Sequence, residues 1–305
     1  MEKAEFEGAL RDVVGAENVR AEEPLSAHTT FAIGGPAEWL VEPASAEEVR
    51  DVVALCREAD AAWRVLGLGS NILAADAGVR GVVIKLAERF SRIEVDGCAV
   101  RAQAGASNEA VAEAACAAGL AGYEFASGIP GTVGGAAIMN AGAYDGEFKD
   151  VATTVSCLTP EGDMVEVSAE QAAWSYRRSM MSERGYVVLG VTLLLERDDA
   201  AAVRARMDDL ARRREEKQPL EMPSAGSTFK RPAGYFAGKL IQDAGLRGYR
   251  VGGAQVSEKH TGFVVNAGDA TAADVIALIA DVQQRVFEDA GVRLEPEVRM
   301  WGMEA

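Results

Sequence analysis

Histidine is almost missing from this sequence, with only His28 and His260, and its four cysteines (Cys56, Cys98, Cys116, Cys157) stand far apart with no CxxC pair. A resident metal needs several N, S or O ligands at set spacings, so no metal is expected, and the thiols read as structural. No apolar run approaches the ~18 residues of a membrane-spanning helix. The opening MEKAEFEGALRDVVGAENVR reads as an amphipathic helix with charges throughout and lacks the apolar segment of a secretory signal, so a cytosolic protein is expected. An excess of basic residues is lacking too: 31 Lys and Arg face 47 Asp and Glu, a net charge of −16. That balance argues against nucleic acid or an anionic membrane as partner, because a phosphate backbone demands a basic surface. Anionic small ligands must then be gripped by local arginines, lysines and backbone N–H groups.

What is present is a globular composition, 49% apolar and 26% charged over 305 residues, enough for two or three subdomains. Residues 37–43 alternate like a strand, and a helix follows to about Ala59 with Ser45 as N-cap and Glu48 as its capping-box partner. Strand patterns recur at 63–66, 82–86, 92–95, 99–104, 154–158, 164–167 and 186–195, with a helix at 108–118. The short strands do not repeat as βαβ units, so the class is α+β. After ERDDA at 196–200 a charged helix runs to Lys217, and the domain boundary is placed there. Beyond it come a loop at 219–227, a helix near 235–244, a strand at 262–265 and a helix at 272–290 N-capped by Thr271.

Two glycine-rich segments carry the first chemical signal. Gly67, Gly69, Ser70 and Asn71 follow a strand, where glycines let backbone N–H groups face an anion; the third Rossmann glycine is replaced by Ile72, so a dinucleotide fingerprint of that type is excluded. The stretch 119–146 holds eight glycines but few polar linker residues, which predicts a buried loop against a ligand. Gly128, Ile129, Pro130, Gly131, Thr132, Gly134, Gly135 and Ala136, then Gly142 and Ala143, are the candidates there, with Asn140 and Tyr144 in the same run. Two such loops can grip one diphosphate from two sides and let a flat ring lie against the chain.

Six ordered blocks make the signal specific: TTFAIGGPA (29–37), LGLGSN (66–71), SGIPGTVGGAAIMNAGAY (127–144), YRRS (176–179), SAGSTFKRP (224–232) and LEPEVRMWG (294–302). Together they closely resemble the UDP-N-acetylenolpyruvoylglucosamine reductase family, across essentially the whole chain. The resemblance implies the vanillyl-alcohol oxidase/p-cresol methylhydroxylase-type FAD-binding fold, two α+β lobes, plus a C-terminal α+β substrate domain. On that division residues 1–30 form an N-terminal helix and lead-in, 31–196 the FAD-binding domain with lobes at about 31–87 and 88–196, and 197–305 the substrate domain. The short interval after YRRS looks like the type II subgroup, which lacks an inserted tyrosine-bearing loop.

The family's reaction, as the resemblance implies it, takes a hydride from NADPH onto FAD and passes it to the enolpyruvyl group of a UDP-sugar; a monomer is expected. Hydride arriving at the β-carbon leaves negative charge on the neighbouring carbon and its carboxylate, so the site needs an electrophilic group and a proton donor. Arg177 of YRRS matches the arginine that stabilises this charge. Ser227 of SAGS matches the proton donor, and Glu297 of LEPEV the catalytic glutamate, which helps near an anion when burial raises its pKa or when it orients a donor. Glu295 would share its face in an extended segment. Lys217 matches the lysine on the diphosphate, Tyr176 lies beside Arg177, and Arg231 stands where some relatives have asparagine, adding charge at a substrate-binding position. The rest of RRREEK (212–217) reads as a solvated helix face, His28 as a cap or turn residue, and Met180 and Met181 as core. Rival readings are an alcohol- or sugar-oxidising flavoenzyme of the same fold, against which SAGSTFKRP and LEPEV speak, and a nucleotide-binding module that would lack Arg177, Ser227 or Glu297.

Overall fold

The computed structural model of the chain describes residues 2–303. Several of its helices start where a short polar side chain can accept from the first unpaired N–H groups. Ser45 Oγ accepts from Glu48 N–H at 3.1 Å to open Ala46–Glu58, Ser107 Oγ from Ala110 N–H at 3.0 Å to open Asn108–Ala117, and Thr271 Oγ1 from Asp274 N–H at 3.1 Å to open Ala272–Ala290. Glu48 reaches one residue further back than a capping box requires, to the N–H of Ala44 at 2.7 Å.

The chain divides into two units, Met1–Arg20 with Leu40–Leu68 and Val82–Arg214, and Ala21–Trp39 with Gly69–Gly81 and Glu215–Ala305. In the first, an antiparallel sheet runs in the order Met164–Ser168, Ala152–Leu158, Val187–Leu194, Ala99–Gln103, Ile93–Asp96. Strand alternation turns Val155, Cys157, Val191, Leu193, Val100 and Ala102 inward. Each large apolar side chain so buried contributes about 1.5–3 kcal/mol. The same unit pairs Trp63–Leu66 in parallel with Val79–Lys85, from Trp63 opposite Val82 to Leu66 opposite Lys85.

The glycine-rich stretch expected to be all loop contains a helix, Val133–Met139, lying on the strand Val187–Leu194, and a tight hairpin of Gly142–Ala143 with Gly146–Glu147. Two glycines in the first turn hide this helix from propensity, since each is unfavourable by about 1 kcal/mol relative to alanine. Its ends make up for that: Thr132 Oγ1 accepts from Gly135 N–H at 3.3 Å, and Asn140 closes it in the left-handed region at φ 44°.

The second unit holds a sheet ordered Ser224–Ser227, Phe263–Asn266, Ala254–Val256, Arg250–Val251. The helix Ala272–Ala290 lays Val275, Leu278, Ile279, Val282 and Val286 into one core with Phe31, Leu73, Phe229, Ile241 and Val264. The spacing of the helix residues is the 3.6-residue period of one helix face. Ile72–Ala74 pairs in parallel with Arg299–Trp301. Residues 219–227, expected as loop, end in the strand Ser224–Ser227, whose partner lies some forty residues on in sequence. Among the described residues no helix is long and apolar enough to cross a membrane.

Candidate active site

In the first unit Gly67, at the head of the first glycine segment, meets the second segment at Thr132. An ideal Cβ on Gly67 would stand 2.6 Å from Thr132 Oγ1, so glycine lets the first loop close on the second. Gly134 lies equally tight against Ala104, its ideal Cβ 2.7 Å from that residue's Cβ. The N–H groups of Val133 and Gly134 donate to the carbonyls of Ala106 (2.8 Å) and Ala104 (2.9 Å). With Gly135 donating to Thr132, these residues offer a ligand a surface without side chains rather than N–H donors. Gly128 faces the guanidinium of Arg214, its ideal Cβ 2.9 Å from Nη1.

Arg214 is the residue the sequence reading missed, since it was grouped with a solvated helix face. Its Nε and Nη1 are buried with no hydrogen-bond partner. Burial pulls its pKa down, while a hydrogen bond with Tyr144 raises it. A guanidinium held in that way is costly unless an acceptor arrives, and it stands against the loop chosen for the cofactor. The fit is to a group that brings hydrogen-bond acceptors, as the diphosphate and the flavin carbonyls of FAD do.

Arg177 is carried on a turn whose ends exchange two backbone bonds, Ser175 N–H to Arg178 O at 3.0 Å and Arg178 N–H to Ser175 O at 3.1 Å. Three side chains lock that turn onto the hidden helix: Trp174 Nε1 donates to Ala137 O (2.7 Å), Asn140 Nδ2 to Ser175 O (3.3 Å) and Ser179 Oγ to Ile138 O (2.8 Å). Arg177 has φ 56°, a conformation that costs a residue with a Cβ about 1–2 kcal/mol. Its guanidinium carbon lies 5.0 Å from the Tyr176 ring centre, and Tyr176 is half exposed. Glu147 is held below the usual carboxylate range, first by its hydrogen bond from Lys149, then by that from Asn140, with Arg177 adding a weaker charge effect.

The second unit brings Asn71, Ser227 and Glu297 together. Gly69 takes φ 64° with its ideal Cβ 2.2 Å from His28 O, so only glycine passes against the TTF segment there. Two residues on, Asn71 Nδ2 donates to the carbonyl of Glu297 at 3.2 Å, and Asn71 O accepts from Arg299 N–H at 3.0 Å. Glu297 N–H donates to Thr228 O at 2.8 Å, and Lys230 N–H to Glu295 O at 2.9 Å, so the segments carrying Ser227 and Glu297 run as an antiparallel pair.

Ser227 lies opposite Phe263 after a register shift from the Ser224–Val265 pair, with Gly226 at φ 73°. A bulge of this kind re-aims side chains, and Ser227 is exposed. Glu295 is separated from Glu297 by its environment: it is exposed and paired with Lys230 at 3.3 Å, whereas Glu297 is half buried. Lys217 ends its helix exposed, and the Arg231 guanidinium lies 4.0 Å over the Phe236 ring. His28, expected as a cap or turn residue, closes the 3-10 turn Leu25–Ala27 with its N–H donating to Leu25 O, and its Nε2 lies 2.8 Å from Glu23 Oε1. Met181 is fully buried.

Residues 37–168 match the FAD binding domain family. The solved 4-ethylphenol oxidase from Gulosibacter chungangensis, 15% identical, shares the fold with a TM-score of 0.50 over 64% of this chain and 42% of its own. The chain is thus a flavoprotein of the vanillyl-alcohol oxidase type of FAD-binding fold. Residues 218–301 match the C-terminal domain of UDP-N-acetylenolpyruvoylglucosamine reductase. The protein of that name from Lachnoclostridium phytofermentans is 49% identical over 297 residues, 96% of each chain. The crystal structure of the enzyme from Thermus caldophilus is 36% identical with a TM-score of 0.79, covering 93% of this chain and 98% of that one. The chain belongs to the UDP-N-acetylenolpyruvoylglucosamine reductase family, whose members are FAD-dependent oxidoreductases.

Proposed function

We propose that this protein uses NADPH to reduce the enolpyruvyl double bond of UDP-N-acetylglucosamine enolpyruvate, giving UDP-N-acetylmuramate for peptidoglycan precursor synthesis in the cytoplasm. Supporting the substrate are the family membership, the match of 218–301 to the reductase's own C-terminal domain and the motif matches of Arg177, Ser227 and Glu297. The observation that carries the reading is the bulged strand that leaves Ser227 exposed, with Glu297 tied to the adjacent Thr228. On this reading 31–196 form the FAD-binding domain and 197–305 the UDP-sugar domain, with Arg177 and Tyr176 of the first assigned to substrate and Arg214 of the second to FAD.

FAD, when bound, supplies a carrier that takes hydride from the nicotinamide and gives it to the enolpyruvyl β-carbon. Residues of 67–71 and 128–143 would hold it, with Arg214 offering its two unpartnered nitrogens to the acceptors. Arg177 grips the substrate carboxylate and stabilises the enolate-like charge that builds up as the β-carbon is reduced. Ser227 Oγ–H delivers the proton to the α-carbon, completing the saturated lactyl ether, and Glu297 supports that transfer. Tyr176, Lys217 and Arg231 contact the sugar nucleotide.

The test is anaerobic stopped-flow spectroscopy of the purified holoprotein. NADPH should bleach the flavin absorption and UDP-N-acetylglucosamine enolpyruvate should restore it. Ser227→Ala should leave the first step nearly intact and slow the second severely. A protein without flavin, or a reduced flavin untouched by that substrate, rejects the function; equal losses in both steps reject the role of Ser227.

A further inference from the structure

We infer that His260, which no motif singled out, is a positioning residue that sets the placement of Ser227; the inference rests on the reading of Ser227 as proton donor. The imidazole lies edge-on to Phe263, ring centres 5.0 Å apart at 70°, and Phe263 is the strand residue directly opposite Ser227. His260 Nδ1 accepts a hydrogen bond from Gly262 N–H at 3.1 Å. The carbonyl of Gly262 in turn accepts from Thr228 N–H at 2.9 Å, and Thr228 Oγ1 accepts from Val264 N–H at 2.9 Å. Thr228 O holds Glu297 N–H. One ring nitrogen therefore anchors a run of bonds that fixes the residue next to Ser227 on both of its sides and ends on the segment of Glu297.

The space for the ring is made by two glycines. An ideal Cβ on Gly262 would be 3.0 Å from the ring Cε1, and one on Gly238 would be 3.4 Å from it. The turn that presents the ring is closed by Ser257 Oγ, which accepts from the N–H groups of Lys259 (3.1 Å) and His260 (3.2 Å), and by Thr261 Oγ1 donating to Gly238 O at 2.6 Å. Because a backbone N–H can only donate, Nδ1 must be unprotonated and the ring proton must be on Nε2. Burial, and then the charge of Arg247, keep the histidine below its ordinary pKa, so the acceptor persists at neutral pH. A purely space-filling histidine would make no use of Nδ1, whereas here that atom is spent on the peptide that holds Thr228.

Two substitutions separate acceptor from bulk. His260→Asn returns an amide oxygen to the place of Nδ1, while His260→Phe keeps a ring against Phe263 and removes the acceptor. In the anaerobic half-reactions, His260→Phe should leave flavin reduction by NADPH within about twofold of wild type and slow reoxidation by UDP-N-acetylglucosamine enolpyruvate about tenfold, equivalent to ~1.4 kcal/mol. The solvent deuterium isotope effect on reoxidation should rise, and His260→Asn should restore both values. Amide exchange of Gly262 and Thr228 should quicken in His260→Phe and stay protected in His260→Asn, a readout independent of the reaction. Wild-type reoxidation and exchange in His260→Phe, or equal slowing of both half-reactions in both variants, overturns the inference. Failure of the wild-type flavin to be reoxidised by the substrate instead removes the proposed function beneath it.

Discussion

Asn140→Ala tests how the Arg177 turn is held. Asn140 is 1% exposed and closes the helix Val133–Met139 at φ 44°. Its amide donates to Glu147 Oε2 at 2.9 Å and to Ser175 O at 3.3 Å, and its Oδ1 accepts from Lys149 N–H at 3.0 Å. Three partly buried bonds at about 1 kcal/mol each give ~3 kcal/mol. A left-handed alanine without a compensating side-chain bond adds about 1 kcal/mol. Asn140→Ala should therefore lose about 4 kcal/mol, and Asn140→Gly, which relieves the backbone but not the bonds, about 3 kcal/mol. Urea unfolding followed by tryptophan fluorescence gives both numbers from the midpoint shift and slope. In Asn140→Gly, loosening of the Ser175–Arg178 turn should also slow substrate reduction more than flavin reduction. Wild-type stability for the glycine variant would show that the three bonds contribute nothing; equal losses in both variants would show that the backbone conformation does not matter.

Arg214→Met should weaken FAD binding while raising the melting temperature of the apoprotein, because a buried guanidinium with two unpartnered nitrogens is exchanged for an apolar chain of similar length; a calorimetric scan and a flavin titration check the opposite signs. Burial pushes the Cys56 and Cys157 thiols up to about 12, so a thiol reagent at pH 8 should label half-buried Cys98 alone in the native protein and all four cysteines in urea. His260 has a folded pKa below 6.5, so the unfolded chain takes up its proton first as pH falls. Its share of stability is complete above 6.5 and declines as the pH drops from there towards the lower folded pKa; in His260→Asn that part of the pH dependence of the urea midpoint should vanish.

Periodicity and caps made most elements readable in advance. Ser45 and Thr271 announce their helices, and alternation announces the strands from 93 to 103 and from 152 to 194, because both signals lie within a few residues of chain. The candidate residues Arg177, Ser227 and Glu297 were readable for a similar reason, since they stand in local motifs. Tertiary structure alone decided the rest. The helix Val133–Met139 exists because Ala104 and Ala106 supply acceptors to its first turn, which glycine propensity could not reveal. Ser224–Ser227 becomes a strand only because Phe263–Asn266 pairs with it, and where sequence separates Glu297 from Glu295 by motif match alone, the fold gives them different surroundings, Glu297 half buried and Glu295 exposed beside Lys230. Arg214 and His260 look ordinary in a charged helix and a turn. Their surroundings arise from burial beside Gly128 and Gly238, and burial is set by contacts between distant segments that no local pattern encodes.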